Sequence, residues 1–187
     1  MSAKMNTAKI LKELTDNIRY IHDEQLDNLT EMIIQANHIF TAGAGRSGIV
    51  VKAFTNRLMQ LGLSASSVGD ISNPHTKPSD LLIIGSGSGE TESLVAMARK
   101  SKKQEVKIAL ITMDASSSIA QMADTVVVLP GVSPKLKNVG LDLTSIQPMG
   151  SAFEQMTFLA YDGIVLELME RMHETSETMF ERHTDLE

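Results

Sequence analysis

The chain has 187 residues, 23 acidic against 17 basic, a formal net charge of -6 and no cysteine. The missing cysteine excludes a disulfide framework, thiolate zinc ligands and a thiol nucleophile, and an acidic balance without a dominant Lys/Arg cluster argues against nucleic acid as a partner. At 42% hydrophobic and 21% charged residues, with only strand-sized apolar runs and no export signal over residues 1–12, the composition predicts a cytoplasmic globular domain with no membrane partner, spanning 1–187.

The chain opens on two amphipathic segments within residues 1–36. Ile10, Leu11, Leu14 and Ile18 fall at helical spacing, and Leu26, Leu29, Met32, Ile33 and Ala36 repeat the pattern. From residue 37 to 130 the pattern changes to short β-rich runs at 38–43, 63–68, 81–85, 107–112 and 125–129. Between them lie helical runs at 50–61 and 90–103, the second with acids first and bases last, as the helix dipole favours. The basic cluster 99–103 thus reads as a helix end rather than a binding patch. Strands alternating with helices predict an α/β fold: a doubly wound five-stranded parallel sheet flanked by helices, flavodoxin- or Rossmann-like.

Two segments echo each other, Ile39-Phe-Thr-Ala-Gly-Ala-Gly-Arg-Ser-Gly48 and Leu82-Ile-Ile-Gly-Ser-Gly-Ser-Gly-Glu-Thr91. Each reads as strand, tight loop and helix start. A weaker third copy, Leu110-Ile-Thr-Met-Asp-Ala-Ser-Ser-Ser-Ile119, carries hydroxyls that suit the cap of a short helix. A long loop over 130–148 reads as functional rather than idle. It leads to a helix at 151–172 that is apolar around most of its circumference, so part of it is expected to pack on another subunit. Residues 149–187 are expected to be C-terminal helices, with Ser176 and Thr178 beside Glu177 as the capping pair of a last helix reaching away from the core.

In this fold class ligands bind at the carboxyl ends of the strands, where both glycine loops fall. Ser86, Gly87, Ser88, Gly89, Glu90 and Thr91 combine hydroxyls, approachable backbone amides and a helix N-terminus. That set suits a phosphate monoester; the alternative is a tight turn with capping hydroxyls. It lacks the Lys of a nucleotide P-loop. Gly43-Ala-Gly-Arg-Ser-Gly48 matches the dinucleotide fingerprint, with Asp70 as a possible ribose acid. Arg46 and Ser47 would serve a sugar phosphate equally, and Arg46 could also be an ordinary surface ion-pair residue.

For proton transfer, Glu90 and Glu92 stand where the helix dipole already explains a carboxylate. Glu154 sits among apolar residues, where an acid is tuned toward use as a base, unless it merely starts a helix on a solvated face. His22, His38 and His173 read as surface or boundary residues and His75 as a loop residue. No His spacing suggests a metal, and none is expected. His183, bland in a monomer, could shuttle a proton if the tail crossed to a neighbour.

The pairing of Gly43-Ala-Gly-Arg-Ser-Gly48 with Gly85-Ser-Gly-Ser-Gly-Glu-Thr91 resembles the sugar isomerase (SIS) domain family, shared by isomerases and phosphosugar-binding regulators. Gln147-Pro-Met-Gly-Ser-Ala-Phe-Glu-Gln155 and the ending Arg182-His-Thr-Asp-Leu-Glu187 narrow this to the 6-phospho-3-hexuloisomerase family. The resemblance implies interconversion of 3-hexulose 6-phosphate and fructose 6-phosphate through a cis-enediol, without a cofactor, downstream of 3-hexulose-6-phosphate synthase in formaldehyde fixation. It further implies Glu154 as base, His183 of another subunit as proton shuttle, and Ser86, Ser88, Thr91 and the amides of Gly87 and Gly89 as phosphate ligands. Arg46 and Ser47 would contact the substrate, and the assembly would be a dimer or tetramer. The remaining alternatives are a phosphosugar-sensing module without turnover and a dinucleotide-binding domain.

Overall fold

The computed structural model describes residues 2–134, 136 and 143–185. In chain order the elements are α1 (Ala3–Asn17), a short 3-10 turn (Ile18–Tyr20), α2 (Asp23–Gln35), β1 (Ile39–Gly43), α3 (Gly45–Gln60), β2 (Ala65–Ser67), β3 (Leu81–Gly85), α4 (Glu92–Lys103), β4 (Lys107–Thr112), β5 (Thr125–Val128), α5 (Ser151–Met172) and α6 (Ser176–Phe180). The strands form one parallel sheet in the order β2-β1-β3-β4-β5. This is the doubly wound α/β architecture. The chain leaves β1 toward one edge and β3 toward the other, which opens a crevice above the carboxyl ends of those two strands.

Strand alternation divides the core between the two faces of the sheet. Leu81, Ile83, Ala109 and Ile111 pack with Leu29, Ile33 and residues of α3 and α5, including Val51, Phe54, Leu58, Phe153, Ile164 and Leu168. Leu82, Ile84, Ile108 and Leu110 pack with Leu94, Val95 and Ala98 of α4 and with Ile119. Because the sheet is covered on both faces, all of β3 is buried. The apolarity of α5 thus has a cause inside the chain, since it packs against α3, α1 and α2 while still exposing Phe158, Leu159 and Leu166.

Three expectations differ from the structure. First, α3 starts at Gly45, within the glycine loop, rather than at residue 50. The reason is steric: a Cβ on Gly43 would lie 2.8 Å from the Gly48 Cα, and one on Gly48 would lie 2.8 Å from the Gly43 carbonyl oxygen, so strand and helix touch there through bare backbone. Only Gly45, at φ 57°, turns left-handed to begin the helix. Second, the third echo forms turns instead of a short helix. Asp114 accepts bonds from the Ser116 amide and hydroxyl, which supports an isolated turn.

Third, the last helix does not reach away. It ends at Phe180, Met179 is buried, and Arg182 donates to the Gln60 carbonyl and to both carboxylate oxygens of Glu174. That pairing holds the Glu174 carboxyl below its ordinary range, the Arg182 hydrogen bond being the main cause. The N-cap is Thr175, one residue ahead of the expected pair, and it exchanges bonds with Thr178 in a capping box. Thr175→Ala is expected to lower stability by about 1 kcal/mol, checked by urea denaturation. Residues 135 and 137–142 of the long loop, and Leu186 and Glu187 of the tail, lie outside the described residues.

Candidate active site

The three loops singled out in the sequence meet in one cleft of about 350 Å³, within the usual ~300–1,000 Å³ of small-molecule sites. It lies at the crevice between β1 and β3. Arg46 and Ser47 enter from the start of α3, Ser86, Gly87, Ser88 and Thr91 from the loop after β3, and Glu154 from the first turn of α5. Phe153 and Leu94 form apolar wall, and Met113, just beyond β4, Ser133, in the loop after β5, and Met149 and Gly150, ahead of α5, add to the lining.

The 86–91 loop has the makings of an anion seat. The Ser86 amide is used, donating to the Ile111 carbonyl, and the Gly89 amide donates back to Ser86. Among the described residues, the amides of Gly87, Ser88 and Thr91 have no acceptor in the chain, and neither does the Thr91 hydroxyl, which caps α4 without a side-chain bond. Unpaired donors beside a helix N-terminus favour an anion. Close packing sets the shape of the loop: a Cβ on Gly87 would lie 2.8 Å from the Met113 Cε, and one on Gly89, at φ 61°, would lie 2.0 Å from the Ser117 Oγ.

Two of the named residues stand apart from the cleft in the chain. Gly89 is buried behind the loop. Glu90 turns its carboxylate outward, where Oε1 accepts from the Ser118 amide at 2.6 Å. The cleft lining therefore includes Glu154 as its one carboxylate among the described residues. The Glu154 side chain is 18% exposed and pairs with Arg46, Nη1 to Oε2 2.9 Å. The same Nη1 donates to the Ser151 hydroxyl at 2.8 Å. Arg46, 55% exposed, is thus an ion-pair residue whose partner is the very carboxylate proposed as a base.

His183 lies elsewhere in its own chain. It borders recesses between α3 and α5 with Arg57, Gln60 and Asp162, and stacks on Phe180 at 5.8 Å. Asp70, the residue a dinucleotide ribose would need, is exposed and lies outside the cleft lining. His38 is held by Ser64 and Ser66, and its pKa is lowered mainly by burial, with Asp80 opposing. Beneath the cleft floor the Tyr161 ring stacks on Phe54 at 4.2 Å, and burial pushes its phenol above the ordinary range. Among the described residues, no three His, Asp or Glu side chains gather as a metal site.

Sequence reading missed Met113, Ser133 and Ser151. Met113 carried a usable signal, because it follows the end of β4 in a fold whose ligands bind at strand ends, and Ser133 lies in the loop 130–148 that reads as functional. Ser151 carried only its place beside Glu154.

The family model described as SIS domain matches residues 32–158. The 3-hexulose-6-phosphate isomerase of Bacillus subtilis (strain 168) is 47% identical over 180 residues, 96% of each chain. That of Mycobacterium gastri is 34% identical over 182 residues, 97% of this chain and 90% of the other. Among solved structures, a protein from Methanococcus jannaschii, for which a 3-hexulose-6-phosphate isomerase function was inferred, superposes with a TM-score of 0.80. Its identity is 32%, with 95% of this chain and 98% of that one covered. No helix among the described residues is long and apolar enough to cross a membrane.

Proposed function

The chain belongs to the SIS domain family, and from that premise we propose that it is a sugar-phosphate isomerase interconverting 3-hexulose 6-phosphate and fructose 6-phosphate, with the whole of 1–187 as one SIS domain. The observation that carries the reading is the single cleft that sets the Glu154 carboxylate across from the hydroxyls and unpaired amides of the 86–91 loop.

In this reading the phosphate rests on Ser86, Ser88 and Thr91 and on the free amides of Gly87, Ser88 and Thr91, an anchor that spends no charge and is strengthened by the start of α4. Glu154 takes the proton from C2 while the C3 carbonyl oxygen gains charge. The product is a cis-enediol(ate) across C2 and C3, and return of the proton to C3 on the same face leaves the carbonyl at C2. One base on one face serves both carbons, so no redox cofactor enters the balance. Arg46 bridges the base and the developing oxyanion, where a fixed cation stabilises charge that forms only in the transition state. Ser47 contacts the sugar. Proton exchange among the hydroxyl oxygens falls to His183 of the partner subunit in a dimer or tetramer. The exposed Ile49, Phe158, Leu159 and Leu166 on α3 and α5 support such packing.

The test couples ribulose 5-phosphate and formaldehyde through added 3-hexulose-6-phosphate synthase and reads fructose 6-phosphate. Formation that depends on this protein is the expected result. Thermal stabilisation by fructose 6-phosphate without turnover would assign a sensor instead, and stabilisation by NAD(P)H alone would assign a dinucleotide binder.

A further inference from the structure

The 86–91 loop is held from behind by the segment that follows β4. Met113 N donates to the Gly87 carbonyl at 3.0 Å, and the Thr112 hydroxyl donates to the same oxygen at 3.1 Å. Ile119 N donates to the Gly89 carbonyl at 3.3 Å, and the Ser118 amide donates to Glu90 Oε1 at 2.6 Å. Ser117 fills the space behind Gly89 so closely that no side chain fits there. Thr112 is itself fixed, since its hydroxyl accepts from the Asp114 amide at 3.1 Å.

This has a geometric effect on the seat. In a trans peptide the carbonyl of one residue and the N–H of the next point in opposite directions. Drawing the Gly87 carbonyl toward Thr112 and Met113 therefore turns the Ser88 N–H the opposite way, and Ser88 lines the cleft. The Gly89 carbonyl, drawn toward Ile119, fixes the next peptide in the same manner, and its N–H meets the Ser88 hydroxyl at 3.3 Å. The Ser88 amide, and the Ser88 hydroxyl through the Glu90 amide, are thus aimed by bonds made on the side remote from the cleft.

We propose that residues 112–119 are the brace that orients the anion seat, with Glu90 and Thr112 as positioning residues that do not touch substrate. The inference rests on the isomerase reading for its substrate, but not for its effect on anion affinity. It also predicts a sign. Were Glu90 only a negative charge near the phosphate, removing it would tighten anion binding; as a clasp, its removal loosens the loop.

The experiment compares wild type, Glu90→Ala, Glu90→Gln, Thr112→Val and Thr112→Ser in steady-state turnover of the hexulose phosphate, in competitive inhibition by inorganic phosphate, and in thermal denaturation. Loss of one charge-assisted bond at an exposed position should raise KM and the phosphate inhibition constant together by about fivefold in Glu90→Ala, with a smaller fall in kcat. Glu90→Gln, which keeps an acceptor for the Ser118 amide, should recover most of the affinity. Thr112→Val should repeat the Glu90→Ala pattern from the other side of the loop, with Thr112→Ser restoring it. The proposal is overturned if Glu90→Ala leaves phosphate inhibition unchanged or tightens it, or if its loss falls in kcat alone. If wild type fails to isomerise the hexulose phosphate while inorganic phosphate still stabilises it more than Glu90→Ala, the brace stands and the substrate assignment falls.

Discussion

Replacing Glu154 by Gln is expected to lower kcat by about a thousandfold while phosphosugar affinity changes by no more than about threefold, the range expected for loss of a positioned general base. The substitution is close to isosteric. The Gln carbonyl oxygen can still accept from Arg46 Nη1, which also remains bound to the Ser151 hydroxyl, so the cleft should keep its shape. Lost is the one function an amide cannot supply, acceptance of a proton from carbon. The proposed phosphate anchors, Ser86, Ser88, Thr91 and neighbouring amides, do not bond to Glu154, and this is why binding and turnover should separate. The measurement is the coupled assay together with thermal stabilisation by fructose 6-phosphate. Undiminished kcat in the variant would remove Glu154 from the chemistry. A matched loss of binding and turnover would make it a substrate ligand instead.

The second large effect is structural. Gly48→Ala should cost about 3 kcal/mol, a large share of the ~5–15 kcal/mol that holds an ordinary domain together. The added methyl would sit 2.8 Å from the Gly43 carbonyl oxygen and 3.0 Å from its carbonyl carbon. Both are backbone atoms of a strand paired on each side, to β2 and to β3, so neither can yield without disturbing the sheet. Gly45→Ala is the matched control. Its Cβ would meet open space and its φ is 57°, so only left-handed strain, about 1–2 kcal/mol, applies. Guanidinium denaturation of the two variants separates contact from conformation, and equal midpoints would refute the close-approach account. Because Arg46 and Ser47 lie between these glycines, the Gly48 variant should also lose activity beyond its loss of fold.

The comparison of these glycines shows where sequence reading stopped. The pattern Gly43-Ala-Gly-Arg-Ser-Gly48 matches a dinucleotide fingerprint because it solves the same local problem, a strand turning tightly into a helix that packs close upon it. A local solution does not name the ligand. What faces the loop is set elsewhere: a carboxylate carried by α5, more than a hundred residues away in the chain, lines the cleft, while Asp70, the candidate ribose acid, lies outside its lining.

Local information was enough for the elements themselves. Short, nearly continuous β-rich apolar runs read as strands, and the acids and bases at either end of 90–103 marked a helix and its direction. Gly/Ser loops after two of the strands were legible as loops at the carboxyl ends of the sheet, where the structure has them. The sequence by itself therefore determined the class of fold and pointed to the loop proposed as the anion seat, because each signal depends on residues within a few positions of one another. Tertiary structure alone decided which groups share a space. It paired Arg46 with Glu154 and Ser151, turned Glu90 away to Ser118, made the third echo turns instead of a helix, and folded the tail back onto Gln60 and Glu174. Those outcomes depend on the order in which parallel strands are laid side by side, and no spacing along the chain encodes that order directly.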